Sequence, residues 1–173
     1  MKKYKVLFAD LDGTLIDTVS GYTFPKGIWD MRFRFDVFNA IKKLNPLCVL
    51  IVTNQGGIEK GFVDKRNFEF KMEYVIRSVK EYVGCDINYS YCKTNDKDNP
   101  YRKPNPKMLE SLFRRSFEPG CITKEDCLMI GGASGKEGQF SDGDKKTAEN
   151  FGIDYMDVDD FIKEMKNQNE EET

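Results

Sequence analysis

Asp10 and Asp12 stand two residues apart in the run Phe8-Ala9-Asp10-Leu11-Asp12-Gly13-Thr14-Leu15, directly after the apolar stretch that begins at Val6. At a strand end, residues i and i+2 face the same way, so both carboxylates can lean toward one site. Side by side they repel unless a cation or a proton shares the space. A Mg²⁺ ion relieves that repulsion and neutralises an incoming phosphate. One carboxylate can then attack phosphorus, while the other protonates the leaving oxygen and later activates water. Gly13 allows a sharp turn beside them, and Thr14 offers a hydroxyl and an amide for phosphate. Aspartates also fill turns for purely structural reasons, so the pair alone leaves a capping turn open.

Three further places carry candidate chemistry. Thr53 and Asn54 follow the apolar run Leu47 to Thr53 and precede Gly56-Gly57. A hydroxyl, an amide and nearby backbone N–H groups there suit a phosphate cradle, or a plain strand-ending turn. Lys103 lies in Arg102-Lys103-Pro104-Asn105-Pro106, where prolines stiffen the chain and Pro106 can open a helix. A lysine held in this way can offset the charges of a phosphate and of Asp10. Gly131 to Gly138 suggests a phosphate loop, but Glu137 after Lys136 breaks the GxxxxGK[ST] pattern. Beyond it, Asp142 and Asp144 supply two more carboxylates, or else a helix cap and its first turn.

Composition narrows the chemistry. The 173 residues contain no histidine, which removes histidine-based triads and imidazole metal sites. Five cysteines without a CxxC pair argue against zinc and against a disulfide framework. The net charge of −2 gives no global basic field for nucleic acid. No apolar stretch reaches the ~18 residues that a membrane span needs. The basic start runs into Asp10 too soon for a signal peptide, so a cytoplasmic location is expected.

The elements that must position these residues alternate between apolar strands and amphipathic helices, the pattern of an α/β fold with a parallel sheet. Strands are predicted at residues 6–9, 47–53, 87–91, 127–130 and 153–156. Helices are predicted around Phe35 to Leu44, from Asp64 to Gly84, and over Pro106 to Phe117, Asp144 to Phe151 and Asp157 to Met165. One domain is expected over 1–166, with a disordered polar tail at 167–173. Asp10, Thr53 and Gly131-Gly132 each fall at a strand's end, the edge where parallel sheets bind ligands.

Taken together, DLDGTL at Asp10 to Leu15, Thr53, Lys103 in KPNP and the acidic segment Asp142 to Asp144 resemble the four motifs of the haloacid dehalogenase (HAD) phosphatases. Thr18 to Gly21, Phe24-Pro25, Trp29-Asp30 and Thr53 to Ile58 are similar to the 3′-phosphatases of polynucleotide kinases, as is Gly131 to Asp144. The resemblance implies a three-layer, Rossmann-like sheet with helices on both faces and minimal cap segments at Ser20 to Phe35 and Gln55 to Asn67. It implies Asp10 as nucleophile, Asp12 as general acid/base, phosphate held by Thr53 and Asn54, and Lys103 stabilising it. Mg²⁺ would be held by Asp10, the Asp12 carbonyl and an acid of the fourth motif, with Asp144 and Asp142 as candidates. The substrate implied is a nucleic acid 3′-phosphate. In one respect the chain departs: the family has Asp after the strand glycine, and here stands Gly132. Three readings follow: a 3′-end phosphatase, a small-metabolite phosphatase, and a HAD-fold binding protein impaired by Gly132.

Overall fold

The computed structural model describes residues 2–23 and 25–168. Among them, β1 (Val6–Ala9), β4 (Cys48–Asn54), β5 (Asp86–Cys92), β6 (Cys127–Gly131) and β7 (Asp154–Asp157) form one sheet in the order β5-β4-β1-β6-β7. All neighbouring strands in it run parallel. Strands buried on both faces read as continuous apolar runs, and every residue of β1 and β6 is buried. Alternate residues feed two cores. Leu7, Ala9, Val49 and Ile51 point to one, and Val6, Phe8, Leu50 and Val52 to the other.

Helices α1 (Phe35–Leu44), α2 (Lys65–Val83) and α5 (Val158–Asn167) cover the first face; α3 (Lys107–Ser116) and α4 (Gly143–Phe151) cover the second. Their ends follow local chemistry. The Asp64 carboxylate accepts a hydrogen bond from the Asn67 amide at 3.0 Å to start α2, and Gly84 closes it with φ of 84°. The chain passes from β1 through β4 to β5, then returns across the sheet to β6 beside β1. That reversal opens the crevice at the carboxyl ends of β1 and β6 in which parallel sheets hold ligands.

Three details differ from expectation. A two-stranded antiparallel hairpin, β2 (Ile16–Asp17) with β3 (Arg32–Phe33), joins the first motif to α1. The loop it encloses is stapled by Asp30, whose carboxylate accepts from Ser20 N and Oγ and from Lys26 N. Phe35 is half exposed rather than core, its ring resting against Phe33, Phe38 and Tyr82. Finally, α5 runs to Asn167 and is followed by Gln168, past the expected tail boundary; the rest of that tail lies outside the described residues, as does Phe24.

Candidate active site

The carboxyl edge of the sheet gathers Asp10, Asp12, Thr53, Lys103 and Asp144. Asp10 follows β1, its amide donating to Ile130 O at 3.1 Å, which fixes the side chain between β1 and β6. Lys103 is buried, and its Nζ donates to Asp10 Oδ1 at 2.6 Å, Asp144 Oδ1 at 2.6 Å and Val52 O at 3.1 Å. All three of its N–H donors are thereby used. Asp144 accepts from Ala133 N with its other oxygen at 3.0 Å. It reaches that place because residue 131 is glycine: a Cβ there would lie 2.3 Å from Asp144 Oδ2.

Burial pushes the Asp10 carboxyl up; the Lys103 charge pulls it down, and Asp144 and Asp12 push it up again, leaving it at about 7. Burial works against the Lys103 charge, but Asp10 and Asp144 outweigh it and hold the ammonium above the usual lysine range. The centre is therefore short of positive charge. Its donors are hard oxygens, which suit Mg²⁺, an ion that keeps several waters and needs only one or two carboxylates. The Asp10 carboxylate and the main-chain carbonyl of Asp12 fit that demand, since the Asp12 carboxylate itself faces Gln55 and Lys71.

Several expected roles change. Asn54 does not face outward: its amide nitrogen donates to Lys103 O at 3.1 Å and its oxygen accepts from Lys103 N at 3.0 Å. It positions Lys103, not phosphate. Gly13 adopts φ of 80° to make the turn, and its N–H is spent on Ile16 O at 2.7 Å. Thr14 is buried; its hydroxyl accepts from Gly132 N at 3.2 Å and its amide donates to Leu11 O at 3.3 Å. These two residues build the loop instead of binding an anion. Among the described residues, no acceptor meets the backbone N–H of Leu11 or of Asp12. The amides of Gly56 and Gly57, beyond Thr53, are likewise without an acceptor among the described residues. Asp142 pairs with Lys146 one turn along α4 at 2.7 Å, so it does not join the centre. Among the described residues no three carboxylates or thiols converge into a metal cage; of the two fourth-motif acids, Asp144 meets Asp10 across Lys103 Nζ and Asp142 does not.

Two polar residues that the sequence did not single out complete the site. Gln55 Nε2 donates to Asp12 Oδ2 at 2.7 Å and to Thr53 Oγ1 at 3.0 Å. Lys71, on the core face of α2, is only 4% exposed and brings its Nζ to 3.8 Å from Asp12 Oδ1. A lysine in register with Phe68, Met72 and Val75 was the available signal, since an ammonium on an apolar face needs a buried partner.

A family model described as polynucleotide kinase 3 phosphatase matches residues 5–162. The chain belongs to that family. With it come the HAD superfamily and phosphatase activity. The chain is 31% identical to the bifunctional polynucleotide phosphatase/kinase of Schizosaccharomyces pombe, over 94% of its own length and 38% of that protein's. It is also 31% identical to the D-glycero-beta-D-manno-heptose-1,7-bisphosphate 7-phosphatase of Helicobacter pylori, over 76% of this chain and 74% of the relative. An uncharacterised 20.8 kDa protein of Autographa californica nuclear polyhedrosis virus is 26% identical, over 93% of this chain and 87% of that one. Among solved structures, the D,D-heptose 1,7-bisphosphate phosphatase of B. bronchiseptica, complexed with magnesium and phosphate, superposes with a TM-score of 0.63 at 19% identity. That comparison covers 95% of this chain and 99% of the other, and it shows the fold. No described helix is long and apolar enough to cross a membrane.

Proposed function

We propose that this phosphatase hydrolyses the terminal 3′-phosphate of nucleic acid ends through an aspartyl-phosphate on Asp10, with Mg²⁺ as cofactor. The observation that carries the chemistry is the ion triangle Asp10–Lys103–Asp144, with both contacts at 2.6 Å and both partners on the edge where Asp12 also lies. Asp10 is the nucleophile: one of its oxygens bonds to phosphorus as the ester bond to the leaving oxygen breaks. Asp12 gives that oxygen its proton, then takes a proton from the water that cleaves the acyl phosphate and restores Asp10. The Leu11 and Asp12 amides and the Thr53 hydroxyl hold the phosphate, and Lys103 offsets charge at the nucleophile. Mg²⁺, held by the Asp10 carboxylate and the Asp12 main-chain carbonyl, would supply further charge neutralisation at the phosphate.

Support for a nucleic acid end comes from the family whose model spans residues 5–162 and with them all four motifs. A small sugar phosphate is the second reading, favoured by the heptose bisphosphatase relatives. The test compares a 3′-phosphorylated oligonucleotide with sugar phosphates, each with Mg²⁺ and with EDTA. Turnover of the sugar phosphates alone would sink the 3′-end reading. Acid-quenching during turnover tests the intermediate: hydroxylamine-labile phosphate should appear on the native protein and be absent from Asp10→Asn.

A further inference from the structure

Asp12 is the most exposed acid of the centre, with 38% of its side chain accessible, yet it is not free to swing. Gln55 Nε2 holds Oδ2 at 2.7 Å from the β4 side, and Lys71 Nζ faces Oδ1 at 3.8 Å from α2. One oxygen accepts a hydrogen bond from Gln55 and the other faces the Lys71 charge at ion-pair distance, so two different elements bias the carboxyl plane from its two edges. Gln55 is anchored in turn, since the same nitrogen reaches Thr53 Oγ1 at 3.0 Å. Lys71 is anchored by its surroundings: it sits among Phe68, Met72 and Val75, and among the described residues Asp12 is the carboxylate within ion-pair distance of it. Burying an ammonium costs several kcal/mol unless it is paired. A lysine kept on the apolar face of α2 for bulk alone would be replaced by methionine or leucine without loss.

We propose that Lys71 and Gln55 are positioning residues that clamp Asp12 in the orientation needed to protonate the leaving oxygen. The proposal rests on the phosphatase reading and on Asp12 as the proton donor. Lys71 also lies opposite the charge that develops on Asp12 as its proton departs, so the clamp acts in the bond-breaking step itself. That step distinguishes substrates. An alkoxide leaving from an alkyl phosphate must be protonated, whereas 4-nitrophenolate leaves as an anion.

The test measures kcat/KM, which reports phosphoryl transfer to Asp10, for the native chain, Lys71→Met and Gln55→Met. Substrates are 4-nitrophenyl phosphate and two alkyl phosphates, a 3′-phosphorylated oligonucleotide and glycerol phosphate. For each variant we expect kcat/KM on the alkyl phosphates to fall by about 10²-fold, within the range set by general acid catalysis. On 4-nitrophenyl phosphate it should stay within about threefold, because no proton is needed there. Gln55→Met changes a partly exposed loop residue, so it decides the matter if Lys71→Met fails to fold. Equal losses on both substrate types, or no loss on either, overturn the clamp while leaving the phosphatase intact. A native chain inert toward every phosphate overturns the enzymatic reading and the clamp with it.

Discussion

Replacing Lys103 by methionine removes the ammonium from between two carboxylates and keeps most of the side-chain volume. The side chains of Lys103, Asp10 and Asp144 are 6%, 13% and 2% exposed, so water cannot take over the lost interaction. Breaking a buried pair in this way costs about 3–5 kcal/mol. A proton can soften that cost, and its uptake makes the effect depend on pH. In the native protein Asp10 titrates at about 7, above the ordinary aspartate value of 3.8. A carboxyl raised on folding contributes stability below its unfolded value, and the contribution is lost as pH rises through the folded value. Without the ammonium that pulls it down, the folded value moves higher still. Below pH 7 both proteins then hold this proton; above it the native chain releases the proton and the variant keeps it. The stability gap should therefore be flat below pH 7 and widen by about 1.4 kcal/mol per unit above it. Urea denaturation of both proteins in EDTA, at pH 6, 7 and 8, measures this. A gap that narrows above pH 7, or one smaller than about 1 kcal/mol throughout, would falsify the buried-triangle account, since both the pair and the proton follow from it.

Gly132→Asp should make thermal stability respond more strongly to Mg²⁺. A tenfold tighter site is worth about 1.4 kcal/mol. In EDTA the same variant should be less stable than the native chain, because its Cβ falls 3.2 Å from Gly13 O and it adds a carboxylate; an unchanged Mg²⁺ response would refute the prediction. Asp157 is buried, which raises its carboxyl, but hydrogen bonds from Gln139, Lys136 and Ser134 and the cap on Asp159 N outweigh burial and bring it to about 2. A depressed carboxyl stabilises above its unfolded value and loses that contribution as pH falls toward 2, so Asp157→Asn should cost about 2–3 kcal/mol at pH 6 and little at pH 2, read by urea denaturation. Asp64→Ala removes the Asn67 cap of α2 and should lower stability by about 1 kcal/mol, with no change in turnover.

Periodicity located the central strands and the helices because their apolar residues recur or run on along their length, and the motif residues Asp10, Lys103 and Asp144, which come from a strand end, a loop and the first turn of a helix, meet at one point. What it could not show was where polar atoms are spent. Asn54 looks like a phosphate ligand until its amide is found on the backbone of Lys103, a residue 49 positions away. Thr14 and Gly13 offer donors in the sequence that the turn itself consumes. Asp142 sits four residues before Lys146 on one helical turn, and this local ion pair wins over a distant metal site. The β2–β3 hairpin is two residues per strand, too short for an alternating pattern to register. Lys71 was hidden for the opposite reason: apolar patterning passes over a charged residue even when it lies on the buried face.

Charge bookkeeping at the site gives Gly132 its meaning. Asp10, Asp12 and Asp144 bring three negative charges when ionised, against the two buried lysines, Lys103 and Lys71. One negative charge is left over, and a phosphomonoester adds up to two more, so a divalent cation still has work to do when substrate arrives. An aspartate at 132 would deepen the deficit and hold the ion before substrate binds. With glycine there, the side chains of the site are closer to neutrality, and on the proposed reading the phosphate itself would supply much of the attraction for Mg²⁺. On the proposed reading Gly132 would thus bear on when the ion binds, whereas Asp10 is held by β1 and by Lys103, which Asp144 also pairs.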